Sequence, residues 1–172
     1  MTIENVVGLK IIRWNQVANG FGSPRYPSFM WGQQRWVEAT CQSCHKDNIP
    51  GDCCTCGIYA TVDHELLMHY HKDDAVALLV EACGKTWIHT KGFRAKEAEV
   101  IGIVNYDNVF KQLEPGKPIN TEQLPMLNAT HYYNVPLVSI DVAYEMARIT
   151  FEREGVLCQL KKSKLPTTEV VE

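Results

Sequence analysis

Ala75-Val76-Ala77-Leu78-Leu79-Val80-Glu81-Ala82 lies near the middle of the chain and reads as a strand covered on both faces. An apolar run this short fits a buried strand; an amphipathic helix would show polar breaks every three or four residues. It also falls far below the ~20 apolar residues needed to cross a bilayer. Working outward, Thr86–Thr90 and Glu99–Val104 read as two more strands, with Lys91-Gly92 turning the chain between them. Upstream, Val6–Val17 holds the β-branched run Val7-Gly8-Leu9-Lys10-Ile11-Ile12, and Asn19–Pro27 is rich in turn residues. Arg35–Cys41 alternates as a half-buried strand does, and Ile58-Tyr59-Ala60-Thr61 is a short β-prone stretch.

Two helices are expected. Asp63 can cap one running to about His71, with Leu66, Leu67 and Tyr70 inward. Ser139 or Asp141 can cap another that ends at Glu154, with Gly155 just past its end. In the second, Val142, Met146 and Ile149 share a face at i, i+4 and i+7, with Phe151 beside them. Glu145, Arg148 and Glu152 lace the other face. Asn105–Pro125 reads as loop with one helical turn near Phe110, and Tyr132–Pro136 as a packed entry to the last helix. Strands and helices mix without βαβ alternation. The expected class is therefore α+β, a mostly antiparallel twisted sheet with a metal-bound loop and one or two packed helices. At 172 residues the chain fits one domain, read as residues 1–160 followed by a polar tail at 161–172.

The most specific chemistry lies between Cys41 and Cys56. Cys41-Gln42-Ser43-Cys44-His45 and Cys53-Cys54-Thr55-Cys56-Gly57 place six candidate metal ligands within sixteen residues. Tetrahedral zinc takes four thiolate or imidazole donors, and a C-x-x-C pair delivers two of them from one tight turn. Gly57 lets the backbone turn back so that amides point at sulfur. The simplest ligand set is Cys41, Cys44, Cys53 and Cys56. A second set takes His45 in place of Cys44, or Cys54 in place of Cys53. Cys53 and Cys54 are adjacent and point different ways, so one of the two is expected to ligate. Five of the seven cysteines fall in this cluster, while Cys83 and Cys158 stand apart. That distribution favours metal over a disulfide scaffold, and a four-donor site of this kind is closed and structural.

The N-terminal Met1-Thr2-Ile3-Glu4-Asn5 has no basic start and no apolar run, so a cytoplasmic location without membrane association is expected. A net charge of −3 gives no global attraction to phosphate. His64-Glu65-Leu66-Leu67-Met68-His69 departs from the metalloprotease H-E-x-x-H pattern. Histidines at i and i+5 lie about 140° apart around a helix and cannot share one ion. Neither a phosphate-binding glycine loop, a dinucleotide fingerprint nor a nucleophile elbow is present. His89-Thr90-Lys91-Gly92-Phe93-Arg94-Ala95-Lys96 brings an imidazole, a guanidinium and two amines to one turn. His89, Lys91 and Arg94 are thus candidate anion-binding residues; an ordinary hairpin with Arg94 paired to Glu97 or Glu99 is the plainer reading. The aromatic group Trp14, Tyr26, Phe29, Trp31 and Trp36 reads as a core layer over the metal loop.

Several of these pieces resemble a family of uncharacterised bacterial and bacteriophage proteins. They are Ala39-Thr40-Cys41, Pro50, Cys54-Thr55-Cys56-Gly57-Ile58-Tyr59-Ala60, His89 through Ala95, and Tyr133-Asn134-Val135-Pro136. The likeness spans roughly residues 8–140. It implies Cys41, a histidine, Cys54 and Cys56 as ligands, and it carries no established activity. Three functional readings follow. The first is a small zinc-binding module, an adaptor or phage-type effector that meets a protein partner. The second is a nucleic-acid-associated protein touching phosphate through Lys91, Arg94 and Lys96. The third is a hydrolase using His89 and Arg94.

Overall fold

Extended, β-branched segments dominate the first two-thirds of the chain, and they pair into one sheet. The computed structural model describes residues 6–15, 20–23, 30–31, 34–41, 48–52, 54–63, 75–105 and 124–162. In chain order the elements are β1 (Val7–Asn15), β2 (Gly20–Gly22), β3 (Met30–Trp31), β4 (Trp36–Glu38), β5 (Ile58–Thr61), β6 (Ala75–His89), β7 (Gly92–Asn105), α1 (Leu124–Tyr133), β8 (Leu137–Ser139) and α2 (Ile140–Lys162). The class is α+β, as the sequence implied. Among the described strands every pairing is antiparallel except β7 with β8.

The β6–β7 hairpin is the frame. Its turn is Thr90-Lys91, one residue earlier than the expected Lys91-Gly92, because Gly92 already pairs with His89 as the first residue of β7, and its arms are longer than the sequence suggested. Ala75–Ala82 and Thr86–His89 are one strand, interrupted by an irregularity between Cys83 and Thr86 where Gly84 takes φ +70°. The bulge looked like a strand break because glycine marks both. β1 lies along β6 from Val7–Glu81 to Arg13–Ala75, and β5 lies along β7 from Ile58–Ala95 to Thr61–Gly92. β5 then meets β1 at Leu9–Thr61, so β1, β6, β7 and β5 close into a ring. Closure explains two glycines. A Cβ on Gly8 would lie 2.8 Å from Phe93 Cε1 and 2.9 Å from the Ala60 Cβ, and one on Gly92 would collide with the Ala60 carbonyl oxygen.

Each face of the sheet carries its own core. On one, Ile12, Leu78, Val80, Val100 and Ile103 pack with Phe21, Trp31, Phe93 and Tyr133. On the other, Val7, Leu9, Ile11, Ala77, Leu79 and Val104 pack with Ala143 of α2. This is why Ala75–Val80 is buried at every position.

α2 forms where expected, capped by the Ser139 hydroxyl, which accepts the Val142 N–H at 3.4 Å. Its face, however, is not the expected one. Val142, Met146 and Ile149 are 53%, 40% and 50% exposed, while Ala143 and Ala147 are fully buried. Small residues are needed because the helix lies against the β1 backbone. The Val7 N–H donates to Thr150 Oγ1 at 3.0 Å, a bond a bulky interface would prevent. The helix also runs through Gly155 to Lys162 rather than ending at Glu154. A single glycine costs a helix only about 1 kcal/mol.

α1 bridges the end of the expected loop at Pro125 and the expected helix entry at Tyr132, and most of it lies between those two segments. Pro125 lies in its first turn, where a missing N–H costs nothing. Asn134 at φ 49° ends it in the left-handed conformation. The expected Asp63–His71 helix, most of the Asn105–Pro125 loop and the tail after Lys162 lie outside the described residues. No helix among the described residues is long and apolar enough to cross a membrane.

Candidate metal centre

Cys41, Cys54 and Cys56 come together. Their Sγ atoms all lie within 4.8 Å of one another, and they form the one such group of histidine, cysteine or carboxylate donors among the described residues. Cys41 and Cys54 sulfurs are 3.8 Å apart, and Cys54 and Cys56 sulfurs 2.8 Å apart. With Zn–S near 2.3 Å, the edge of a tetrahedron is about 3.8 Å. The first pair already has that spacing; metal entry would part the second by about 1 Å. Backbone amides point at the sulfurs as well. Gly51 N–H donates to Cys56 Sγ at 3.3 Å and Cys56 N–H to Cys54 Sγ at 3.4 Å. Such donors favour thiolate over thiol, which is the form that ligates.

The sheet holds both halves of this cluster. β4 pairs with β7, and just beyond it the Ala39 N–H donates to the Lys96 carbonyl at 2.8 Å, setting Cys41 beside β7. On the other half Ile49 is buried in the core and Gly57 at φ +119° turns the chain into β5. A Cβ at Gly57 would lie 3.0 Å from Arg94 Cγ and 3.2 Å from the Ala95 carbonyl oxygen, so this glycine is required by space as well as by conformation.

Arg94 is the cluster's closest associate from the sheet. Only 6% exposed, it donates from Nη1 to the Cys54 carbonyl at 2.6 Å and from Nη2 to the Gly51 carbonyl at 3.4 Å. Strand register gives it two aromatic neighbours, because Tyr59 on β5 and Trp87 on β6 both pair with it. Its guanidinium carbon lies 4.7 Å from the Trp87 ring centre and 6.0 Å from that of Tyr59. The Tyr59 hydroxyl in turn donates to the Thr55 carbonyl at 2.8 Å. Neither the plain pairing of Arg94 with Glu97 or Glu99 nor a clustered anion site describes this arrangement. Lys91 is exposed and pairs with Asp63 at 2.8 Å, Lys96 approaches Glu97 at 3.5 Å and Glu38 at 3.8 Å, and His89 is exposed at the hairpin end.

Of the six sequence candidates, the structure thus gathers Cys41, Cys54 and Cys56. Cys44, His45 and Cys53 lie outside the described residues, as do His64, His69 and His71. Tyr59 and Trp87 were not singled out as partners of the loop; the β5–β7–β6 register that aligns them is a tertiary property. Cys83 lies apart from the cluster. Burial, and then Glu81, Glu99 and Glu97, push its thiol up to about 11, so it stays protonated at neutral pH.

No protein-family profile matches the chain, and no curated protein or solved structure is significantly similar to it.

Proposed function

We propose that this chain is a zinc-stabilised binding module, in which a structural Zn2+ fastens the residue 41–57 segment to the sheet and the fixed surface meets a protein partner. The observation that carries the reading is the convergence of three sulfurs from two separate stretches of chain. Three thiolates with one imidazole suit zinc in a structural role, and such a site supplies folding free energy rather than a reaction. The fourth donor is assigned to His45, four residues after Cys41. The family resemblance supports this choice, because its implied set of Cys41, a histidine, Cys54 and Cys56 includes all three converging sulfurs. Zinc would contribute charge neutralisation and a fixed geometry there; the chain's own amides and carbonyl clamps set how the sulfurs are presented.

Metal analysis of protein purified without chelator tests the proposal. About one zinc per chain is expected, with a melting temperature that falls on chelation. Protein lacking bound metal, whose melting is indifferent to both zinc and chelator, would end this reading.

A further inference from the structure

The metal reading leaves Arg94 to be explained. A guanidinium on a strand is ordinarily exposed or paired with a carboxylate, and burying it is costly unless its donors and charge are met. Arg94 is buried, yet among the described residues no carboxylate pairs with it, and its Nε–H has no partner at all. Two of its donors instead reach main-chain carbonyls of the cysteine loop, those of Cys54 and Gly51. Tyr59 holds a third, that of Thr55. The sheet therefore grips the loop at residues 51, 54 and 55, around the sulfurs of Cys54 and Cys56. With metal bound, three thiolates, one neutral imidazole and one divalent ion carry a net −1, which is a counter-charge for the buried guanidinium.

We propose that Arg94 and Tyr59 are positioning residues of the thiolate site, Arg94 serving both as clamp of the loop carbonyls and as counter-cation of the metal–thiolate group. This rests on the metal reading above and adds to it where the affinity comes from. Groups that hold ligands in place are commonly worth 10–100-fold in metal affinity. The Trp87 ring, paired across the strands with Arg94 and centred 4.7 Å from its guanidinium carbon, adds a cation–π contact beside the loop.

The test is a Co2+ titration of the full chain, followed through the thiolate-to-cobalt charge-transfer absorption, with melting in chelator measured beside it. Arg94→Met is expected to weaken Co2+ binding about 10- to 100-fold. Arg94→Lys, which keeps the charge and loses the two-pronged grip, is expected to recover part of that loss. Tyr59→Phe keeps the half-exposed ring and removes one hydrogen bond, so it folds even if the Arg94 variants do not. Its expected loss is about 2- to 10-fold. Wild-type protein that takes up no Co2+ would remove the metal reading and this inference with it. Wild-type protein that binds Co2+ while Arg94→Met or Tyr59→Phe binds it within the error of wild type would leave the metal site standing and overturn the positioning role.

Discussion

Replacing Cys56 with serine isolates what the metal contributes. Cys56 Sγ accepts the Gly51 N–H and lies 2.8 Å from Cys54 Sγ, so it ties Gly51 to the Cys54–Cys56 segment of the loop. When free zinc is 1,000-fold above its dissociation constant, binding adds about 4 kcal/mol to stability. For a chain of this size each kcal/mol moves the melting temperature by about 2–4 °C, so the holo protein should melt about 8–16 °C above the chelated one. A serine hydroxyl is a poor zinc ligand at neutral pH, and the variant should lose nearly all of that increment. In chelator the same change swaps sulfur for oxygen in a half-buried loop and should cost about 1 kcal/mol or less. The informative quantity is therefore the difference between two differences, about 4 kcal/mol, because the cost seen in chelator is common to both conditions and cancels. It is read from four thermal melts, wild type and variant, each with zinc and with chelator. An equal drop in both conditions would mean that Cys56 acts by packing alone, and the metal argument would fail for it.

Three further outcomes follow from the geometry. Glu81 and Glu99 stand directly opposite on β6 and β7, and burial, then Glu99, raises the Glu81 carboxyl above its ordinary value. A raised carboxyl destabilises the ionised fold, so stability falls as pH rises from 4.5 through the folded value. Glu81→Gln should gain about 0.2–1 kcal/mol at neutral pH and nothing well below pH 4.5, measured by urea unfolding at the two pH values. Thr150→Val leaves the Val7 N–H without its acceptor and should cost about 1–3 kcal/mol by the same assay; no loss would mean that water takes over the bond. On α2, Ile149→Gln should change stability by no more than about 0.5 kcal/mol, whereas Ala147→Leu should cost about 1–3 kcal/mol. The reverse ranking would restore the face that the sequence pattern suggested.

The sequence spoke most clearly where one local rule was enough. The apolar run at Ala75–Val80 fits a covered strand and forms one, and Lys91-Gly92 marks the hairpin turn to within one residue, the turn itself being Thr90-Lys91. It spoke less clearly where two structures share one signal. Gly84 reads equally as a bulge or a break, and Gly155 as a helix end or a tolerated interior residue. The face of α2 was misread because an apolar stripe at i, i+4 and i+7 ordinarily packs inward. Here the β1 backbone approaches so closely that alanine and threonine are needed instead. α1 escaped notice because Pro125 in its first turn looks like a helix breaker and its preceding residues look like loop. At the metal centre, Cys41, Cys54 and Cys56 were all legible as candidates. Whether Cys53 or Cys54 turns toward Cys41 depends on the path of the loop, which spacing does not encode. The place of Arg94 was hidden for the same reason. Its position beside the cluster follows from the pairing Tyr59–Arg94–Trp87 across three strands, and register between distant segments is a property of the whole sheet.

Zinc K-edge X-ray absorption on the purified, unmodified chain bears most directly on all of this. One zinc per molecule is expected, with at least three sulfur neighbours at about 2.3 Å and no more than one lighter atom near 2.0 Å. A zinc surrounded by oxygen and nitrogen, or well-folded protein whose Cys41, Cys54 and Cys56 thiols all alkylate freely in excess zinc, would contradict it.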